Sequence, residues 1–521
     1  MDHSLVRSLL TIAGAGTISG ADDYEFARQV LQRGIAGVYL IAFLSTAAQF
    51  PALLGSHGLL PVPAYLKTVY ARRSPTLFRR WRYSDRRLRA LCSAGAIVSA
   101  SLVAGLPQLA GPWLPMVLFV AMWLVYLSIV NVGQTFYGFG WESLILEAGF
   151  MAAFLGSNAV APPILIIWLI RWLVFRLEFG AGLIKLRGDR AWRDLTAMYY
   201  HHQTQPMPNP FSRWAHLLPK WVHRGEVLGN HFCQLIVPFF LFAPQPVASI
   251  AAALIVLSQL WLVLTGNFAW LNAITIVLAF SAVGDSVVHA IIPAIPPTTT
   301  YASAPIWFIV VTAAAALLVI LLSWWPAKNL LSRHQLMNAS FNRWHLVNAY
   351  GAFGSVTRER YEVIVEGTDD GAEDATDDGT DDGASGAAAA TFPAADAEWR
   401  EYAFKGKPGD PKRVPRQFAP YHLRLDWLMW FLALGSPDNR WFSVFLVRLL
   451  EGDRPTLRLL REDPFGGTAP RWVRARTALY RFSTPHEHRE TGQWWIVEET
   501  GLLVPPVRLG DDGHPVQVRR R

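Results

Sequence analysis

Residues 134–208 read QTFYGFGWESLILEAGFMAAFLGSNAVAPPILIIWLIRWLVFRLEFGAGLIKLRGDRAWRDLTAMYYHHQTQPMP, and the fold turns on how this stretch is understood. Most of it is apolar enough for lipid. Yet Glu142, Glu147, Arg171, Arg176, Glu178 and Lys185 lie inside or at the edges of its hydrophobic runs. An Asp, Lys or Arg at mid-bilayer costs about 2.5–3.5 kcal/mol even on the gentlest insertion scale. Such residues face the interior of a helix bundle, pair with one another and mark candidate sites.

The composition around this stretch agrees with lipid. The chain of 521 residues is 52% hydrophobic, carries 22 Trp and is only 17% charged. A soluble globular protein is about a quarter charged. Mean hydropathy is +0.24. The 47 Lys and Arg against 39 Asp and Glu leave a net charge of +8, and the positive residues cluster beside apolar runs. They read as topology signals and exclude a nucleic-acid footprint. The two cysteines, Cys92 and Cys233, exclude a disulfide framework and a Cys-based zinc site, and both read as small buried hydrophobes. Residues 1–23 make a poor signal peptide, because the apolar run is weak and broken by glycine.

Candidate spans fall at 33–50, 90–110, 113–131, 141–156, 162–184, 231–243, 247–265, 268–284 and 304–325. The expected fold is a polytopic α-helical membrane protein of about seven to nine helices in residues 1–325, followed by a C-terminal α+β domain over 326–521 with a small β-sheet. The spans at 141–156 and 231–243 are short, so each is re-entrant or packed wholly against protein. Loop residues 67–89 hold nine Lys and Arg against Asp85 alone, and 185–228 is also net positive. The positive-inside rule puts both loops in the cytoplasm. Nine spans would also leave the C-terminus there.

After Pro326 the character changes. Residues 328–355 suggest an amphipathic helix lying on the membrane surface. RYEVIVEG alternates like a strand, and EWREYAFKGKPGDP reads as a second strand and turn. Between them, 368–390 is a flexible acidic Asp/Gly/Ala loop; it lacks the position-twelve Glu and the flanking helices of an EF-hand. YHLRLDWLMWFLALG and NRWFSVFLVRLLEG have the three- and four-residue spacing of amphipathic helices, and WVRARTALYRFS and GQWWIVEE read as strands.

The chemistry-bearing residues form two groups. In the membrane, Glu142 near the interface is a helix-start residue solvated by headgroups, whereas the deeper Glu147 has Arg171 and Arg176 as obvious partners. Arg171 and Glu178 are seven residues apart and share a face. Such a set builds either register-fixing ion pairs or a polar substrate cavity. In the loop, Asp194, His201, His202 and Gln205 form a second candidate site. Adjacent histidines point apart, so 201 and 202 together make no metal site, but either could form a dyad with Asp194 for general-base work. Asp285 and His289 stand four apart as a buried pair, and TGN at 265–267 is a further polar insertion. No G-x-S-x-G, HExxH, P-loop or Rossmann glycine set occurs, and neither cofactor nor metal is called for.

Several ordered blocks resemble one family, the lipase maturation factors. They are FARQVLQRGIAGVYLIAFLS, SHGLLP, GWESLILEAGF, FRLEFGAGLIKLRGDRAWRDLTAMYYHHQTQPMPNP, LTGNFAWLNAITIVLAF, VNAYGAFGSVTRERYEVIVEGTDDG, EYAFKGKPGDP and APYHLRLDWLMWFLALG, covering the chain from Tyr24 onward. The resemblance implies an integral membrane protein that helps client proteins, dimeric lipases in animals, reach an active fold. It also implies a C-terminal domain that faces the lumen and contacts the client, opposite to the placement from positive residues. The membrane would be the endoplasmic reticulum in a eukaryote and the inner membrane in a bacterium. The GAGLIKL…W block is also similar to membrane domains of the vitamin K-dependent carboxylase type. Two functions are therefore in play: a folding factor without a catalytic centre, or a membrane enzyme or transporter taking a lipid-like or small substrate in the charged cavity.

Overall fold

The computed structural model describes residues 23–294, 300–370, 393, 396–436, 439–510 and 515–517. The N-terminal lead-in up to residue 22, and the acidic loop beyond Asp370, lie outside the described residues.

The helices that build the bundle are α1 (Glu25–Leu54), α2 (Asp85–Ala104), α3 (Trp113–Val130), α4 (Gly140–Ala152) and α5 (Ile164–Arg187). They continue with α6 (Met198–Thr204), α7 (Lys220–His231), α8 (Val247–Thr265), α9 (Leu271–Ala279), α10 (Asp285–Ile291), α11 (Ile306–Leu322) and α12 (Trp324–Leu331). Among the described residues, six segments are long and apolar enough to cross a membrane: α1, α2, α3, the run Lys220–Phe242 that begins with α7, α8, and the run Ile306–Leu331. The bent pair Leu271–Ala282 and Asp285–Ile291, turning by 100°, makes a seventh if it counts as one span. The lower end of the expected seven to nine is thereby met. The 24-residue α5 is also long enough, but Arg171, Arg176 and Glu178 interrupt its apolar run. The 13-residue α4 is too short to cross and is buried on nearly every side, as its length required.

Local chemistry sets the helix ends. The Ser84 hydroxyl accepts the Arg87 amide at the start of α2, and Gly105 at φ +80° ends it in the left-handed region that glycine tolerates. Helix α1 is capped from far away: the Asp285 carboxylate accepts the amides of Glu25 and Phe26 at 2.8 and 2.9 Å. Asp285 thus serves an anion-seeking helix N-terminus and not His289. Close packing then needs small residues. At Gly149 on α4 a Cβ would sit 2.3 Å from the Tyr39 hydroxyl of α1.

The C-terminal part holds one antiparallel sheet of order β2-β1-β3-β4-β5, with β1 Arg360–Thr368, β2 Arg400–Glu401, β3 Trp472–Phe482, β4 Trp495–Leu509 and β5 Pro515–Gln517. Strand β1 lies against β3 from Arg360↔Tyr480 to Thr368↔Trp472. Helices α13 (Arg424–Ala433) and α14 (Arg440–Leu450) bury their apolar faces against the sheet and the bundle end. The expected strands and both amphipathic helices are present, although the second strand has only two residues.

Residues 328–355 are the exception. The helix stops at Leu331, and the rest is irregular. Asn338, His345, Val347 and Phe353 take positive φ of 51°, 52°, 55° and 54°, and the Asn342 side chain accepts the amides of Trp344 and Leu346. Such side-chain bonds compete with helical ones. Beyond Leu331 the segment is thus irregular chain packed along the bundle, not an amphipathic helix.

Both basic loops and the C-terminal part gather at one end of the bundle. Arg343 donates to the carbonyl of Arg72, Gln49 near the end of α1 donates to that of His422, and Arg360 donates to that of Gln203.

Candidate functional site

The charges of the central stretch do not form one cluster. Glu142, on the first turn of α4, is fully buried. It accepts the Arg424 guanidinium at 2.6 Å and the Tyr126 hydroxyl at 2.5 Å. Headgroup solvation, expected from its place at a helix start, is thus replaced by a partner 282 residues away. Arg424 also donates to the Phe136 carbonyl at 2.8 Å and lies 3.5 Å over the Tyr137 ring, a cation–π contact. His422 stands beside the pair, its Nδ1 3.7 Å from Glu142 and 3.4 Å from the Trp141 indole. Burial, with the Arg424 charge next to it, holds this imidazole down to about 4.

Glu147, one turn and a half further along α4, meets Arg176 of α5 in a buried salt bridge, as expected. Its other oxygen accepts the Asn348 amide at 2.9 Å, the Asn348 side chain at 3.0 Å and the Tyr350 hydroxyl at 2.8 Å. Arg176 in turn donates to the Asn348 carbonyl at 2.7 Å. The other expected partner, Arg171, takes no part. Its guanidinium donates to the carbonyls of Ser281 at 3.0 Å and Leu241 at 3.2 Å, and sits over Tyr24.

Nor does Arg171 pair with Glu178. Glu178 accepts Gln234 at 3.1 Å and Gln259 at 2.8 Å, and Gln259 accepts Asn272 at 2.8 Å. Lys185 donates to Gln234 and Asn230, both at 2.9 Å, and lies 4.7 Å over Trp192. A continuous chain, Asn230–Lys185–Gln234–Glu178–Gln259–Asn272, therefore crosses from α7 through α5 to α8 and α9. Buried polar groups persist in lipid only when satisfied in this way. One wall of a cavity of about 320 Å³ is made by this chain. Phe139, Trp141, Trp427, Trp430 and Phe431 supply an aromatic roof, partly from α13. The volume is at the low end for a small-molecule site.

The loop group also separates. Asp194 is half exposed and pairs with Arg190 at 3.0 Å, so no His–Asp dyad forms. His201 packs between Phe268 and Phe353, and burial pushes its imidazole down to about 3. His202 turns the other way and meets Glu226 at 3.1 Å. Gln205 spans to the Thr265 carbonyl at 2.8 Å, and only a glycine at 266 leaves room for it, since a Cβ there would lie 2.1 Å from its Oε1.

These same segments carry the C-terminal part. Arg360 of β1 donates to carbonyls at Gln203, Gln205 and Pro206, and the Gln203 side chain accepts the Phe482 amide at 3.0 Å. Asn267, of the polar TGN insertion, is fully buried and accepts the amides of Phe418 and Ala419, both at 2.9 Å. Sequence reasoning missed Arg424, Asn348, Gln234, Gln259 and Glu226. Their one legible signal was a polar side chain inside or beside an apolar run.

Comparison with known proteins follows the same two parts. The family model of the lipase maturation factor transmembrane domain matches residues 26–290, and that of the lipase maturation factor C-terminal domain matches 346–505. Lipase maturation factor 1 of Bos taurus is 40% identical over 533 residues, covering 94% of this chain and 90% of that protein. The Homo sapiens lipase maturation factor 1 is 39% identical, covering 92% and 88%. Lipase maturation factor 2 of Homo sapiens is 28% identical, covering 93% and 83%. No solved structure matches. With apolar helices fit to cross a bilayer and this near full-length similarity, the chain is an integral membrane protein that belongs to the lipase maturation factor family.

Proposed function

We propose that this lipase maturation factor holds a folding client, a secreted lipase in the first instance, on the open edge of its C-terminal sheet. The observation that carries the proposal is β4. Its 15 residues pair with β3 on one side, but on the other side β5 reaches only Val507, Arg508 and Leu509. Among the described residues, no strand covers the outer edge between Val497 and Leu503. Leu502 and Leu503 are 54% and 43% exposed there. An uncovered edge with apolar side chains is a template for an extended segment of another chain. A partly folded client offers such segments, and binding them needs no covalent step.

In this proposal the chain divides near residue 325. The helical part sits in the bilayer, the endoplasmic reticulum membrane in a eukaryote or the inner membrane in a bacterium. The part from 326 onward meets the client. The buried charges at Glu142, Glu147, Arg171, Arg176, Glu178 and Lys185 hold the helices in register and fix the sheet on the bundle.

The test is co-production with a secreted lipase. Substituting L502K and L503E together should leave the amount of this protein in the membrane unchanged and lower the yield of active lipase at constant lipase synthesis. Undiminished lipase activity with the double variant would overturn the assignment to the β4 edge.

A further inference from the structure

Beneath the sheet, α6 and α7 bring His202, His223 and Glu226 together, with their ligating atoms all within 4.8 Å of one another. His202 Nε2 lies 3.1 Å from one Glu226 oxygen, and His223 Nδ1 lies 2.7 Å from the other. The side chains are 1%, 3% and 10% exposed, so water competes little for them.

The ring of His223 faces an acceptor on each side: Nε2 lies 3.2 Å from the His216 carbonyl and Nδ1 lies 2.7 Å from a Glu226 carboxylate oxygen. A neutral imidazole carries one proton and can donate to only one of them. A second proton on His223 satisfies both, and so does a metal ion that takes the Nδ1 lone pair while Nε2–H donates to the carbonyl. The Glu226 oxygen that faces His202 also accepts the Trp261 indole at 3.0 Å, which orients the carboxylate. Carbonyl and indole partners of this kind orient the ligands of metal sites. The Nδ1 atoms of His202 and His216 are both buried without a hydrogen-bond partner. His202 turns Nε2 to the same carboxylate, and a metal ion there would take that lone pair.

We infer that His202, His223 and Glu226 bind one divalent transition-metal ion, zinc by preference, with a fourth position left for water or His216. Two imidazoles and a carboxylate suit zinc and its neighbours, and disfavour calcium and magnesium, which take all-oxygen sets. Tetrahedral zinc with bonds of about 2.0–2.2 Å places its ligand atoms roughly 3.3 Å apart. The contacts of 2.7 and 3.1 Å, made to the two different carboxylate oxygens, would open slightly, and the wider separations in the cluster, all within 4.8 Å, would close toward that spacing. The ion would clamp α6 to α7. Helix α6 and the residues after it carry Gln203 and Gln205, which receive Arg360 and Phe482 of the sheet, so the clamp would brace the shelf on which the C-terminal part rests. The inference is independent of the client.

The experiment uses the full-length protein in detergent, stripped with chelator and titrated with cobalt(II), then zinc(II). One cobalt per chain should bind with the intense visible absorption of a tetrahedral site, and one equivalent of zinc should abolish it. E226Q, close in shape and able to keep the indole contact, should weaken binding at least about tenfold. H202A and H223A should remove the absorption. H486A, at a side chain 72% exposed on the C-terminal part, should leave it unchanged. A spectrally silent titration would mean that a second proton holds the cluster and would overturn the inference. So would cobalt binding that survives in H202A and H223A.

Discussion

Replacing Arg424 by methionine tests how the sheet is fastened to the bundle. Arg424 and Glu142 are both fully buried, and the pair bridges α13 to α4. Without the guanidinium, Glu142 keeps only the Tyr126 hydroxyl at hydrogen-bond distance, with His422 at 3.7 Å. Removing one partner of a buried ion pair typically costs about 3–5 kcal/mol, because the other charge is left in a medium that cannot solvate it. At about 1.4 kcal/mol per decade, even the lower figure raises the equilibrium opening of the C-terminal part by roughly 100-fold. Trypsin cleavage within the sheet reads that opening directly while closing outpaces cleavage. R424M should therefore accelerate cleavage about 100-fold or more. The double variant E142Q/R424M removes both charges and should return to within about tenfold of the native rate, as double-neutral replacements of buried pairs do. A rate for R424M within threefold of native, or a double variant whose effect is the sum of the singles, would refute the reasoning.

Three further outcomes are expected. With Cys92 and Cys233 replaced by serine, cysteines introduced at Arg80 and Leu503 should react with an impermeant maleimide from the same side of sealed vesicles, because the basic loop and the sheet share one end of the bundle; labelling from opposite sides would contradict that arrangement. Gly149→Ala should lower stability by about 1–3 kcal/mol through overpacking on Tyr39. The Tyr39 hydroxyl has no hydrogen-bond partner, so Tyr39→Phe alone should be neutral or stabilising and should relieve part of that loss; denaturant midpoints in detergent decide both. Finally, His422 is held neutral at about 4 against an ordinary value of 6.5, so the unfolded chain takes up its proton first as pH falls. Stability from this group is complete above pH 6.5 and declines toward pH 4 at up to about 1.4 kcal/mol per unit. H422Q should flatten that part of the pH dependence; an unaltered slope would exclude His422 as a source.

Periodicity made the spans and the sheet legible, because apolar runs and strict alternation each match one geometry. The pairing of charges was legible only where partners lie on consecutive elements, as Glu147 and Arg176 do. Arg424 is 282 residues from Glu142, and nothing local marks it. Arg171 misled for a related reason: an arginine in an apolar helix calls for an anion, yet here it donates to two backbone carbonyls at interrupted helix ends. The segment 328–355 misled because its apolar residues are spaced like a helix while its asparagines bond their own backbone. The loop histidines were correctly separated by their adjacency, but His223 and Glu226, the partners of His202, come from the next helix and became visible only once α6 and α7 packed.

Of the three buried carboxylates of the central stretch and their partners, two reach out of the bundle. Glu142 ends on Arg424 at the first turn of α13, and Glu147 ends on Asn348 and Tyr350 in the segment leading to β1. Only the Glu178–Lys185 chain closes within the helices. A buried ion pair adds little net stability over well-packed apolar residues, and its best-attested use is to specify one arrangement over others. Under the proposed function the edge of β4 would need such specification, since the pair fixes how the sheet sits on the bundle. The double variant E142Q/R424M separates the two roles. If the pair sets orientation, the protein should remain abundant in the membrane while active lipase falls. If lipase yield instead tracks stability alone, the pair is a fastening and the orientation of the edge is fixed elsewhere, with Asn267 and Arg360 the next residues to replace.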